Sequence, residues 1–481
     1  MSDEFSPLDA AEVGSYDEST DVLVVGFGAA GTCAAHSARE AGVDVLVAER
    51  SSGPGGAAAL SEGIVYLGGG TPVQTACGFE DSADNMTRYL LAACGPDPDV
   101  SKVTAYAESS TDHFAWLVDR GVEYDARLDE STQMAPAGTE GLVWSGGEDA
   151  WPFNEIAVPA PRGHLTRTKG STGALLMRRL SDAAVAVGAR VSTDTRVERL
   201  IVDDGRVVGA VATRFGERLA VRARRGVVLA AGGFIWNDEM LRRNAPELLL
   251  GTWKVGTEAD DGRGIEMAQA VGARVKNMHA GEVSLPVIPP RRLVDGIIVD
   301  GAGQRFINED TYMGRVGQAA LYGHRATCFL VIDEAGYEPN WIGLEASWVC
   351  GSVGELEAEM GLPAGALEAT LGLYNRHARD GHDPVFHKRP GHVRPLEPPL
   401  GAFDLRRGAA PYAPFTLGGL DTRVSGEVLS LAGDPIPGLF AAGRTTSGVC
   451  TFGYASGLSI GDSTLFGRFA GASAARSPAV A

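Results

Sequence analysis

An α/β fold with a Rossmann-like βαβ unit, a β-meander and an inserted α+β domain is predicted by three features of this sequence. The glycine pattern GFGAAG follows a short apolar strand and opens a helix of small residues. A second apolar strand ends on an acidic side chain, Glu49. Near the other end of the chain, a buried strand at Gly438–Ala442 runs through a Gly-rich turn into a last helix that begins near Gly457.

Bulk properties narrow the class. The 481 residues can bury a large core and suggest two or three domains. With 64 glycines and 44% hydrophobic residues, the composition is that of a loop-rich α/β enzyme rather than a disordered chain. A formal charge of −19 argues against nucleic acid as a partner and against anionic membrane surfaces. The longest apolar run, GVVLAAGGFIW from Gly226, is far short of the ~20 residues a spanning helix needs, so no membrane span is expected. The polar, acidic start carries no signal-peptide pattern, and a cytoplasmic location is expected. Cys33, Cys77, Cys94, Cys328, Cys350 and Cys450 show no CxxC spacing, which suits reduced thiols and predicts neither an iron–sulfur cluster nor a zinc site.

The elements follow in order. After a polar tail over residues 1–20, Asp21–Val25 is a strand, and the helix after GFGAAG runs to Gly42. Gly26 permits the tight turn, Gly28 lets the backbone approach a pyrophosphate, and Gly31 lets the helix pack on the strand. Val43–Ala48 is the second strand, and Glu49 at its end would accept hydrogen bonds from an adenosine ribose. A second Gly-rich loop, GPGGAAALSEGIVYLGGG at Gly53–Gly70, favours FAD over NAD, because its backbone N–H groups can line the pyrophosphate and the flavin edge. Arg190–Leu200 and Arg206–Ala212, the latter following the turn Asp203-Asp204-Gly205, read as meander strands. Gly226–Phe234 is a buried strand ending in small residues.

Composition shifts near His279. The expected organisation is an FAD-binding domain over residues 21–278 and 403–481, interrupted by a substrate-binding and catalytic domain over 279–402 with a helix at Ala364–Asp380.

The stretches ADDGRGIEMAQAVG, GQRFINED and GLFAAGRTTSGVCTFGYASGLS resemble FAD-binding flavoproteins of the fumarate reductase and succinate dehydrogenase type, from Asp21 to Ala475. The resemblance implies cofactor contacts at Gly26, Gly28, Ala29, Ala30 and Gly31, at Glu49 and Arg50, and at Gly55, Gly56, Ala57, Ser61 and Gly63. It also implies contacts at Val197, through its backbone to the adenine, at Ala231, Gly232 and Asp261, and at Gly443, Arg444, Gly457, Leu458 and Ser459. The departures are informative. Residues 50–62 contain no histidine, so the flavin is expected to be held non-covalently. Arg444 replaces the usual Glu, and either pairs with the pyrophosphate or faces away. Tyr454 stands where the dicarboxylate enzymes place a substrate-gripping Arg, and a phenol cannot form the bidentate pair a diacid needs.

Within that group, RFINEDTY and AAGRTTSGVCTFGYASG are most similar to the 3-ketosteroid dehydrogenases, and among them to the type that introduces the 4,5 double bond into 3-keto-5α-steroids. The implied substrate is a small hydrophobic 3-ketosteroid. The resemblance implies that Tyr454 bonds the C3 carbonyl oxygen, Ser456 takes a C4 proton, Tyr312 passes it outward, and flavin N5 accepts the C5 hydrogen as hydride. A serine hydroxyl is a poor base alone, so a relay partner is needed, and the oxyanion must be stabilised. Alternatives stay open: action at the 1,2 bond, a reductase running in reverse, or a non-catalytic flavin sensor. At residue level, Ser456 could simply cap the next helix, and Asp310 could serve in place of Tyr312. Glu309 is expected to pair with Arg305. Cys450 is read as a packing residue rather than a nucleophile, and His377, His382, His387 and His392 as a basic loop without metal. No sequence motif marks the electron acceptor.

Overall fold

The computed structural model describes residues 3–130, 138–170, 172–288 and 290–480. The strand Glu18–Val25 lies at the heart of the main sheet, parallel to Val45–Ala48 on one side and to Glu217–Leu229 on the other. Val22–Val25 and Val45–Ala48 are buried on both faces, so these strands read as continuous apolar runs. Besides Glu18–Val25, the long strand Glu217–Leu229 has two further partners. Its first half pairs antiparallel with Arg206–Arg214, and Val227–Leu229 pair in parallel with Leu439–Ala441. Asp204 and Gly205 both have positive φ (45° and 75°), the two-residue turn that suits the right-handed twist of a hairpin.

Two sequence expectations are corrected here. The single strand expected at Arg190–Leu200 is broken at Asp194, whose φ of 54° is one that Asp and Asn adopt more readily than other non-glycine residues. Arg190–Ser192 therefore joins the parallel sheet beside Val45–Ala48, while Thr195–Asp203 starts the meander. The kink clasps Glu49: its N–H donates to Ser192 (2.9 Å), and its carbonyl accepts from Thr195 N–H (2.8 Å). The second correction concerns the start of the chain. Leu8–Asp9 adds a parallel edge strand against Ile201–Val202, Phe5 is buried, and the first central strand begins at Glu18. Pairing that edge removes free backbone donors and acceptors.

The helix Ala29–Glu40 packs against the C-terminal helix Leu458–Arg476. Backbone meets backbone there: a Cβ on Gly467 would stand 2.4 Å from the Ala30 carbonyl oxygen, and one on Gly471 2.1 Å from that of Ala34. This contact seats the start of the last helix beside the GFGAAG loop. Residues 65–130 and 138–170, which carry no marked strand or helix pattern in the sequence, contribute short strands and the helices Ala83–Ala93, Val100–Glu108 and Ser110–Asp119. A fully buried Arg162–Asp81 pair, with bonds of 2.8 Å from Nε and from Nη2, ties this layer together.

Ile297–Asp300, Cys328–Asp333, Leu400–Asp404 and Trp348–Cys350 form a four-stranded antiparallel sheet. Alternation sorts its side chains. Ile297, Val299, Phe329 and Val331 share a core with Leu367 and Leu371 of the helix Ala366–Ala378, while Ile298, Leu330 and Ile332 merge with the core of the main sheet. Gly281–Ser284 and Ala413–Thr416 are antiparallel neighbours where the chain enters and leaves this region. Among the described residues, no helix is long and apolar enough to cross a membrane.

Candidate active site

A cavity of ≈ 430 Å³ lies at the carboxyl ends of the parallel strands, where the glycine loops meet. Gly26 (φ 101°) turns the chain under the Ala230 carbonyl, which a Cβ would approach to 2.4 Å, and a Cβ on Gly31 would lie 1.9 Å from the Gly26 carbonyl oxygen. Across the cavity a Cβ on Gly56 would stand 3.5 Å from Gly28 Cα, so the two Gly-rich loops approach each other through bare backbone. Glu49 is 7% exposed, and its carboxylate accepts from Phe27 N–H (2.6 Å) and Ser51 N–H (2.7 Å). Each oxygen keeps a further lone pair for an adenosine ribose. Arg50 forms an ion pair with Asp261 (2.7 Å) on the cavity rim. A backbone cradle of this shape, together with a fixed terminal carboxylate, fits a dinucleotide.

Opposite the cradle, Arg444 is held by Asp260. Its Nη2 donates to both carboxylate oxygens (2.8 and 3.0 Å), and the same carboxylate accepts from Gly233 N–H (3.0 Å) and Thr257 N–H (2.9 Å). Asp260 lies next to Asp261 in the ADDG run, and no local pattern marks it as the partner of Arg444. The Arg444 guanidinium lies 5.6 Å from the centre of the Phe415 ring, and Phe415 packs edge-on against Tyr454 (5.2 Å, 85°). Arg444 thus braces the wall that carries Tyr454.

The two tyrosines share that wall. Tyr312 and Tyr454 are 2% and 6% exposed, with ring centroids 6.3 Å apart. The Tyr454 hydroxyl oxygen accepts from Ser459 N–H (3.1 Å) in the first turn of the helix Leu458–Arg476. Burial pushes its pKa well above the ordinary phenol value, so the O–H stays on as a donor. Tyr312 is raised as well, burial first and the neighbouring Glu282 second, and its hydroxyl donates to Glu282 Oε1 (3.2 Å). Ser456 lines the same cavity, and its backbone N–H donates to Ser145 (2.9 Å).

A model of the FAD binding domain family matches residues 21–460. The chain belongs to this FAD-binding family. Among solved structures, it is similar to a 3-ketosteroid-Δ4-(5α)-dehydrogenase from Rhodococcus jostii RHA1 in complex with 4-androstene-3,17-dione, at 49% identity and a TM-score of 0.94, covering 98% of this chain and 100% of that one. A 3-oxo-5-alpha-steroid 4-dehydrogenase of Comamonas testosteroni is 29% identical over 90% of this chain and 94% of the relative. A 3-oxosteroid 1-dehydrogenase of Mycolicibacterium smegmatis is 27% identical, over 94% and 96%.

As an FAD-binding family member, the protein binds FAD, and most of the expected contact residues fall on the cavity just described. Gly26, Gly28, Ala29, Ala30, Glu49, Arg50, Gly56, Ala57, Ser61 and Gly63 line it, as do Val197, Ala231, Gly232, Asp261, Gly443, Arg444, Gly457 and Ser459. Three expected contacts lie off it. Gly31 supports the Gly26 turn from below, and Gly55 donates its N–H to Phe27 (2.9 Å). Leu458 is buried in the core, and its N–H is used by Ala455 (3.1 Å). The Asp310 alternative fails on geometry. Its carboxylate accepts from Arg389 N–H (3.0 Å) and Nε (2.8 Å) and does not reach the cavity. Glu309 binds Arg305 (2.9 and 2.7 Å), with Lys388 also on it at 3.1 Å. Cys450 is buried 4.0 Å from the Cys94 sulfur, its thiol pKa raised by burial, which suits packing rather than nucleophilic attack. Among the described residues, no cluster of His, Cys, Asp and Glu could hold a metal.

Proposed function

We infer that the protein is an FAD-dependent dehydrogenase that introduces the C4–C5 double bond into 3-keto-5α-steroids. The observation that carries this reading is the Tyr312–Tyr454 pair, 6.3 Å apart on a cavity wall, in a chain 49% identical to a 3-ketosteroid-Δ4-(5α)-dehydrogenase. A phenol in place of a guanidinium suits a neutral ketone rather than a carboxylate.

The roles follow from the surroundings of each group. Tyr454 donates its hydrogen bond to the C3 carbonyl oxygen, while Ser459 N–H and the positive end of the last helix support the charge that grows there. Ser456 receives a C4 proton and Tyr312 carries it on, so the electron pair of the C4–H bond flows toward the carbonyl. Bound FAD supplies a hydride acceptor for the C5 hydrogen. Each such group is worth roughly 10²–10³-fold in rate. The flavin is taken to be held non-covalently, since no histidine among the described residues lines the cavity. The division into an FAD-binding body and a substrate-binding unit over residues 279–402 is part of the same proposal.

Anaerobic mixing with 5α-androstane-3,17-dione tests it. The expected result is bleaching of the oxidised flavin band and formation of the 4-ene, with no bleaching by succinate. A 1-ene product alone would overturn the C4–C5 assignment in favour of action at the 1,2 bond, and no bleaching by any 3-ketosteroid would remove the dehydrogenase reading.

A further inference from the structure

Among the described residues, Glu282 is the carboxylate in contact with the tyrosine pair. It sits on the strand Gly281–Ser284, opposite Phe415 of Ala413–Thr416, and is fully buried. Its Oε1 accepts from Tyr312 Oη (3.2 Å) and Ser284 Oγ (2.8 Å), and its Oε2 is buried with no hydrogen-bond partner among the described residues. Tyr312 and Ser284 line the cavity, whereas Glu282 does not. Space for the contact is made by Gly314, where a Cβ would stand 2.3 Å from Tyr312 Cε1 and 2.4 Å from Glu282 Oε1.

Among the described residues, no cation pairs with this carboxylate. The titratable groups that face it are Tyr312, Tyr454 and Tyr322, all phenols. A buried carboxylate without a counter-charge is costly as a structural element, because nothing repays its lost hydration. As a proton acceptor the same features are useful. Burial raises its pKa to about 7, where a carboxylate can take a proton and release it again.

We propose that Glu282 is the terminal proton acceptor of the C4 deprotonation, a positioning residue that acts through Tyr312. This rests on the reading of Tyr312 as a proton carrier. The C4–H bond breaks and its proton passes to Ser456 Oγ, the Ser456 hydroxyl proton passes to Tyr312 Oη, and the Tyr312 proton passes to Glu282 Oε1. The C–H electron pair stays with the substrate as the enolate, which closes to the 4,5 double bond as the C5 hydrogen leaves with its own pair, for which bound FAD would be the acceptor. Ser284, 2.8 Å from Glu282 and on the cavity wall, then returns the proton to the cavity.

Single-turnover flavin reduction of the holoenzyme by 5α-androstane-3,17-dione, followed across the neutral pH range, tests this. Only the ionised carboxylate can accept a proton, so the wild-type rate is expected to fall as pH drops through about 7. Glu282→Gln should be about 10- to 100-fold slower and pH-independent there, yet bind 4-androstene-3,17-dione, read by the flavin absorbance shift, as the wild type does. Glu282→Asp should recover part of the rate with its pH limb displaced. A wild-type rate in Glu282→Gln, a retained limb near pH 7, or product binding weakened in step with the rate would each overturn the proposal. Should Glu282→Gln lose FAD, Glu282→Asp decides: a displaced limb supports the proposal and an unmoved one overturns it. Tyr312→Phe separates the two levels. A normal rate there sinks the relay itself, whereas a slow Tyr312→Phe beside a normal Glu282→Gln removes only Glu282.

Discussion

The Tyr454 hydroxyl oxygen accepts a hydrogen bond from the backbone N–H of Ser459, 3.1 Å away, in the first turn of the last helix. That bond occupies one lone pair and aims the phenol, leaving its own O–H to donate into the cavity. The turn depends on Gly457, whose φ of 95° reverses the chain between the two residues. Tyr454→Phe should therefore keep FAD and fold but reduce flavin roughly 10²–10³-fold more slowly with a 3-ketosteroid. Near-normal turnover, measured by anaerobic flavin bleaching, would remove the carbonyl-activating role.

Glu49 tests the cofactor cradle separately. Its carboxylate ties the GFGAAG loop, through Phe27 N–H, to the chain leaving the second strand, through Ser51 N–H. Glu49→Ala loses both anchors along with the ribose contact proposed for this carboxylate. The purified variant is expected to carry less FAD than the wild type, measured by the flavin-to-protein absorbance ratio. A fully loaded variant would count against the assignment.

Arg444 and Asp260 form a pair whose side chains are 14% and 4% exposed. Removing Arg444 alone leaves the Asp260 charge buried without its counter-ion, and such losses run to about 3–5 kcal/mol. Arg444→Met should lower the denaturation midpoint by a large step, and Asp260→Asn added to it should restore part of that loss. Strict additivity in the double-mutant cycle would show that the pair is not coupled.

Gly31→Ala places a Cβ 1.9 Å from the Gly26 carbonyl oxygen, where neither backbone can yield without opening the turn. Overpacking of this kind costs about 1–3 kcal/mol, and here the strain falls on the cofactor loop. The expected outcome is loss of FAD together with a lowered melting temperature. A flavin-replete Gly31→Ala protein would contradict the packing described.

Much of this was legible in the order of residues. The GFGAAG turn, the apolar strands around it, Glu49 and the GYASG block are local patterns, and local backbone chemistry decides them: glycine where φ is positive or a Cβ collides, apolar runs where both faces of a strand are covered. The substitution of Tyr454 for a guanidinium is likewise readable from one position. What the sequence could not carry were contacts between distant segments. Glu282 meets Tyr312 only because Gly314 leaves room for them. Asp260 and Arg444 are far apart in the chain, and their pairing answers the question that Arg444 posed. The kink at Asp194, which clasps Glu49, depends on which neighbour each half-strand finds. The sequence by itself determined the cofactor fold and the chemical identity of the site groups. Which of those groups are paired, buried or left without a counter-charge was decided by the tertiary structure alone, because desolvation and pairing arise only once the chain has closed around them.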